Sequence, residues 1–173
     1  MVSLLRTLLH ALIGQAPELV CSPQLWNDGV DELRLRTHGV HESGAFLLGF
    51  TKGGVRKIQQ FLYYDDVDPN CFVHGIVEFD GRKFGLVWEK CRELQMEVVA
   101  DVHVHPGRFD QSSSDRHSPM IAEPGHIALI LPDFAARARM PGRIGIYEYL
   151  GARKWKNLSP RGSRIFHIGW WPK

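Results

Sequence analysis

The stretch that decides the fold is Val99–Gly107, which has the sequence VADVHVHPG. From Ala100 onward, apolar and polar residues alternate, as they do in a strand whose two faces differ. Asp101, His103 and His105 therefore share one face, and the apolar residues between them share the other. Proline followed by glycine ends the strand, because proline cannot donate a backbone hydrogen bond and glycine permits a sharp turn. We predict a strand that carries two histidines at its carboxyl end.

Two histidines in this arrangement can bind one metal ion. The Cα atoms of His103 and His105 lie roughly 6.5–7 Å apart on a strand, so both rings can place a nitrogen about 2.0–2.1 Å from the ion. Asp115 can return from the following loop as a third ligand, with Asp110 and His117 as nearby alternatives. Three protein ligands leave one coordination position open for water, which is typical of a catalytic zinc site. The alternative is a hydrogen-bonded histidine pair without metal.

A second informative stretch is His41–Gly49, with the sequence HESGAFLLG. A water molecule activated by a metal ion needs a group that takes its proton and returns it to the leaving group. Glu42 opens an otherwise apolar strand, where a carboxylate that is not itself a ligand can fill both roles. The alternative is a solvated glutamate at the start of a strand.

These motifs together resemble the JAMM metalloprotease family, also called the MPN-plus or JAB-domain family. The matching elements are E-x-G before a hydrophobic strand, then H-x-H-P, then S-x-x-D. The resemblance implies that His103, His105 and Asp115 bind Zn²⁺, that Glu42 is the general acid and base, and that Ser112 helps to stabilise the oxyanion. It also implies a cytidine-deaminase-like α/β fold, with a mixed, curved β-sheet flanked by helices.

The spacing departs from the family in one place. The segment Pro106–Gln111, between the second histidine and the serine, is one residue shorter than is usual. Moving the register by one would select Ser113, but it would place Arg116 where the aspartate belongs, and arginine cannot bind a cation. We therefore assign Ser112 with Asp115, and the choice among the three consecutive serines stays open.

Composition limits the class of protein. The 173 residues, 44% of them hydrophobic, predict a single globular domain over residues 1–173. A net charge of +2 gives little reason to expect nucleic acid as a partner, and the locally basic segment 153–164 is predicted to be a solvated face or a partner contact. Three isolated cysteines favour a reducing cytoplasm. No run reaches the roughly 18 apolar residues that a membrane span needs.

The remaining elements follow from periodicity. We predict an N-terminal amphipathic helix over Val2–Ile13, with a signal peptide as the alternative, and a connecting segment over residues 16–29 that contains Trp26 as a core anchor. Family members usually have a helix directly before the glutamate, whereas residues 34–41 favour strand and turn.

His126 is predicted to be a satisfied core or edge histidine, with a role beside the metal site as the alternative. A helix is predicted over Phe84–Leu94, and further strands over residues 30–37, 45–50, 55–64, 126–131, 143–150 and 165–170.

The resemblance also implies a function. The short format is similar to that of bacterial JAB proteins, some of which are encoded beside ubiquitin-like proteins and their activating and conjugating enzymes, in some cases in antiphage systems. We therefore expect an isopeptidase or peptidase that cleaves after the C-terminal tail of a ubiquitin-like or sulfur-carrier protein, held between edge strands near Glu42 and the loop Pro106–Asp115. The alternatives are a non-catalytic scaffold of the MPN type and a protein resembling the RadC-like proteins of DNA maintenance.

Overall fold

One mixed sheet of eight strands organises the molecule, in the order β7-β6-β5-β4-β2-β3-β1-β8. The structure is a computed structural model that describes residues 17–137 and 139–170. The strands are β1 (Leu19–Cys21), β2 (Ser43–Lys52), β3 (Val55–Tyr63), β4 (Glu97–Val104), β5 (Ile127–Leu131), β6 (Gly145–Gly151), β7 (Lys154–Asn157) and β8 (Phe166–Ile168). The helices are α1 (Pro23–Arg36), α2 (Tyr64–Val67), α3 (Phe84–Leu94), α4 (Ser113–His117) and α5 (Gly162–Ile165). The predicted α/β class is confirmed, and the helix predicted at Val2–Ile13 lies outside the described residues.

Helix α1 corrects the sequence prediction, which placed a connecting segment over residues 16–29 and a strand over residues 30–37. Ser22 caps the helix, since its hydroxyl accepts a hydrogen bond from the Leu25 backbone N–H at 3.3 Å. Trp26, Val30 and Leu33 recur at helical spacing and are all 0% exposed. The helix continues through the turn-like sequence Asn27-Asp28-Gly29, because burial of the apolar face of the helix outweighs the local preference for a turn. Residues 34–41 are therefore the end of this helix followed by the predicted turn, and the strand predicted there is wrong.

The sheet carries a hydrophobic core on each face. Trp26 anchors the first core, as predicted, where α1 packs against alternate residues of the central strands. The second core lies under α3, whose Val87 and Cys91 contact Phe46 and Leu48 in one buried cluster. Within the described residues, no helix is both long and apolar enough to cross a bilayer.

Strands β2 and β4 form the centre of the sheet and bring the two motifs together. They pair antiparallel, with Gly44 opposite His103 and Phe46 opposite Asp101. The register of β2 shifts around residues 47–49 against both of its neighbours, and such bulges bend a strand and increase its twist. Because β2 lies between β3 and β4, the prediction of edge strands near Glu42 is wrong.

Candidate metal centre

The two histidines lie at the carboxyl end of β4, on the face that the sequence predicts. His103 and His105 are 8% and 7% exposed, respectively. The residue that pairs with His103 on the neighbouring strand β2 is Gly44, which has no side chain. The backbone N–H of His105 donates to the Leu131 carbonyl at 2.8 Å and so extends the pairing with β5 beyond the last strand residue. Sheet pairing therefore fixes the backbone at both histidines.

A tight turn after β5 holds the backbone that follows these histidines. The Phe134 N–H donates to the His105 carbonyl at 2.9 Å, and the Asp133 N–H donates to the Gly107 carbonyl at 2.8 Å. Asp133, Phe134 and Ala135 all have positive φ angles, of 54°, 52° and 57°. Residues other than glycine rarely adopt this left-handed region, and such strain tends to collect at functional sites.

Asp115 completes a cluster of three ligand-type side chains. Its carboxylate oxygens lie 3.4 Å from His103 Nε2 and 3.3 Å from His105 Nε2, and the two Nε2 atoms are 3.0 Å apart. One potential ligand atom from each residue falls within 4.8 Å of the others. Burial raises the pKa of the Asp115 carboxyl, but hydrogen bonds from the two histidines lower it by more, and the net pKa lies well below its usual range. The cluster therefore holds a charged carboxylate against two imidazoles.

The short helix α4 positions Asp115 through a capping box. The Ser112 hydroxyl accepts from the Asp115 backbone N–H at 3.1 Å, while the Ser112 N–H donates to Asp115 Oδ2 at 2.6 Å. Ser112 thus orients the carboxylate directly. Sequence reasoning missed this role, although S-x-x-D at the start of a helix is a recognisable capping signal.

The donor set fits zinc. Two imidazole nitrogens and one carboxylate oxygen form one of the ligand combinations of catalytic zinc sites, with a further position left for water. His105 Nδ1 lies 3.2 Å from the Arg108 carbonyl, and the neutral tautomer that donates to this carbonyl leaves Nε2 without a proton and able to bind a metal ion. A hydrogen bond of this kind is the usual support for a metal-binding histidine.

Glu42 lies beside the cluster without belonging to it. Its Oε1 is 3.7 Å from His105 Nε2, and its side chain is 13% exposed. The other oxygen, Oε2, accepts a hydrogen bond from the Val77 backbone N–H at 2.9 Å, and the Glu42 N–H donates to the Gly75 carbonyl at 3.0 Å. The segment around Val77 therefore fixes the carboxylate and leaves Oε1 directed towards the histidines.

The alternative ligands are placed elsewhere. Asp110 pairs with Arg108 Nε at 2.9 Å, and the exposed His117 contacts the Ser113 carbonyl through Nδ1 at 2.7 Å. Neither belongs to a metal-binding cluster among the residues that the structure describes. Of the two other serines, Ser114 lines the small pocket that contains His103 and Asp115.

A buried polar network lies next to the cluster on the same face of β4. Asp101 Oδ1 is 2.6 Å from His126 Nε2, and the Tyr64 hydroxyl donates to Asp101 Oδ2 at 3.2 Å. Burial raises the pKa of Tyr64 well above its usual value, and the negative charge of Asp101 adds to the effect. His126 is a satisfied core histidine, as predicted. The sequence places Asp101 on this face but does not reveal its partners, which come from distant elements.

Comparison with known proteins supports the fold alone. No protein-family model matches the chain. The solution structure of a protein from Desulfitobacterium hafniense is similar at a TM-score of 0.61 and 14% identity, over 87% of this chain and 92% of that one. A second solution structure, from Salinibacter ruber, aligns at a TM-score of 0.49 and 20% identity, over 79% of this chain and 86% of that one.

Proposed function

We propose that this chain is a zinc-dependent peptidase that cleaves after the C-terminal tail of a ubiquitin-like or sulfur-carrier protein. The observation that carries the proposal is the convergence of His103, His105 and Asp115, with the carboxylate of Glu42 beside them. The resemblance of the same four residues to the JAMM motifs supports peptide hydrolysis as the reaction.

Each residue has a role that follows from its position. Bound zinc would supply a Lewis acid that polarises the carbonyl and lowers the pKa of a coordinated water towards about 7. Glu42 takes a proton from the attacking water on Oε1, because Oε2 is already engaged by Val77. The water oxygen bonds to the carbonyl carbon, and the C–N bond breaks as Glu42 returns the proton to the leaving nitrogen. Ser112 holds Asp115 in place and is proposed to stabilise the oxyanion.

The surroundings of Glu42 support a protein substrate. A groove that reaches Phe84 shares Val77, Ser114 and Ser118 with the small pocket that contains His103 and Asp115. Val73 and Ile76, close to the Gly75 carbonyl that binds Glu42, are 70% and 41% exposed. We propose that these two side chains contact the substrate protein.

The test is cleavage of a folded substrate. Zinc-loaded protein is incubated with a ubiquitin-like protein fused through its C-terminal glycine to a reporter peptide. The masses of the products are then measured by mass spectrometry. We expect release of the reporter after the last glycine. Equal cleavage of an unstructured peptide with the same tail would contradict the substrate assignment, and an intact cognate fusion would contradict it as well.

Replacement of Ser112 tests its role in the reaction. We expect Ser112→Ala to lower kcat by ~10²–10³ at saturating zinc, the usual effect of removing one oxyanion donor. Loss of the helix cap should also reduce the free energy of unfolding by about 1 kcal/mol. The neighbouring Ser113→Ala serves as the matched control and should change neither quantity. If kcat is unchanged while stability falls, Ser112 is only a helix cap.

A further inference from the structure

A second cavity of about 320 Å³ adjoins the metal centre. It lies over β6 and β7, which are on the opposite side of β4 from β2 and Glu42. Its walls share Gln111 and Trp155 with the small pocket that contains His103 and Asp115. A chain held at the metal centre can therefore reach this cavity without leaving the surface. The lining residues are Asp110, Gln111, Arg116, Tyr147, Arg153, Trp155 and Asn157.

The cavity carries positive charge that the protein does not neutralise. Among the residues that the structure describes, the Arg153 guanidinium has neither an ion pair nor a hydrogen bond. The guanidinium of Arg116 donates to the Gln111 carbonyl at 3.0 Å, which is a neutral partner. The one carboxylate in the lining, that of Asp110, is already paired with Arg108 at 2.9 Å. Two guanidinium groups are thus available to an anionic ligand.

The walls of the cavity are held in place before any ligand binds. Trp155 donates from Nε1 to the Arg116 carbonyl at 3.2 Å and packs edge-on against Tyr149, with 4.9 Å between ring centroids. The hydroxyl of Tyr147, a residue that is 5% exposed, donates to the Phe109 carbonyl at 3.2 Å. Preorganised walls reduce the entropy that binding must overcome.

We infer that this cavity is a subsite for an acidic side chain of the peptide substrate, on the side of the metal centre opposite Glu42. The inference rests on the proposed function, because its occupant belongs to the chain held for cleavage. A guanidinium can bind a carboxylate through two parallel N–H donors. Nucleic acid is the poorer fit, because the net charge is only +2 and a phosphate chain calls for a longer basic stripe than two guanidinium groups.

The test measures binding rather than catalysis. The purified 173-residue chain is titrated against two fluorescein-labelled octapeptides, one with three consecutive glutamates and one with glutamines in their place. We expect the glutamate peptide to bind roughly tenfold more tightly, the scale of one charge-assisted hydrogen-bonded pair. Arg153→Gln should remove this preference. Arg92→Gln, an exposed arginine on α3, is the matched control and should keep it.

Each outcome bears on the subsite separately from the peptidase activity. Equal affinity for the two peptides, or a preference that survives Arg153→Gln, would overturn the inference. A single-stranded oligonucleotide that binds more tightly than the glutamate peptide, and loses binding in Arg153→Gln, would overturn it in favour of nucleic acid. A preference for glutamate in a chain that cleaves no substrate would support the subsite while contradicting the proposed function.

Discussion

Glu42→Gln is expected to lower kcat by ~10²–10⁴, the usual contribution of a general acid and base. Glutamine keeps the shape of the side chain, and its amide oxygen can still accept the hydrogen bond from the Val77 N–H. It cannot take or return a proton at the reacting centre. Cleavage of the ubiquitin-like fusion and zinc content are measured on the same preparations, and zinc content should stay unchanged.

The matched control for this variant is Glu89→Gln, on the exposed surface of α3. It makes the same chemical change far from the metal centre and should retain full activity. Loss of zinc from Glu42→Gln would mean that Glu42 is itself a ligand. Retention of full activity would remove it from the mechanism.

The second large effect is expected from the network below the metal centre. Asp101→Ala removes the shared acceptor of His126 and Tyr64 and leaves two buried polar groups without a partner. Each unpaired group should lower the free energy of unfolding by about 1–3 kcal/mol, and the two losses should add. Urea denaturation in the presence of a chelator measures this without a contribution from metal binding.

Asp101→Asn is the comparison that isolates the network. Asparagine can accept from His126 and donate to the Tyr64 oxygen, so it should cost less than alanine. If the two variants are equally unstable, the amide of asparagine does not replace the hydrogen bonds of the carboxylate. Equal stability of Asp101→Ala and the wild type would show that the network contributes nothing.

The sequence predicts those elements whose pattern is local. Strand β4 follows from alternation that ends at Pro106 and Gly107, and α3 follows from an apolar stripe at helical spacing. Helix α1 was missed because Asn27, Asp28 and Gly29 have the composition of a turn. Position 29 has to be glycine, because the ring of Phe61 occupies the space where a side chain would be. Packing between distant segments thus outweighs local preference.

The candidate site also has parts that the sequence shows and parts that it does not show. The ligand-type residues are visible in the sequence because His103 and His105 are two positions apart on a strand. The support of Glu42 is not visible, because its partner is the backbone N–H of Val77, and a backbone donor leaves no mark in the sequence. The basic cavity joins residues of the loop before α4 to residues of β6 and β7, which only the sheet order brings together.

The most direct test of the metal centre is zinc content by elemental analysis of the protein purified without added metal or chelator. We expect about one zinc ion per chain in the wild type, bound by His103, His105 and Asp115. The double variant His103→Ala, His105→Ala should contain almost none while remaining folded by circular dichroism. Equal, substoichiometric zinc in the two proteins would contradict the metal centre, and with it the proposed peptidase.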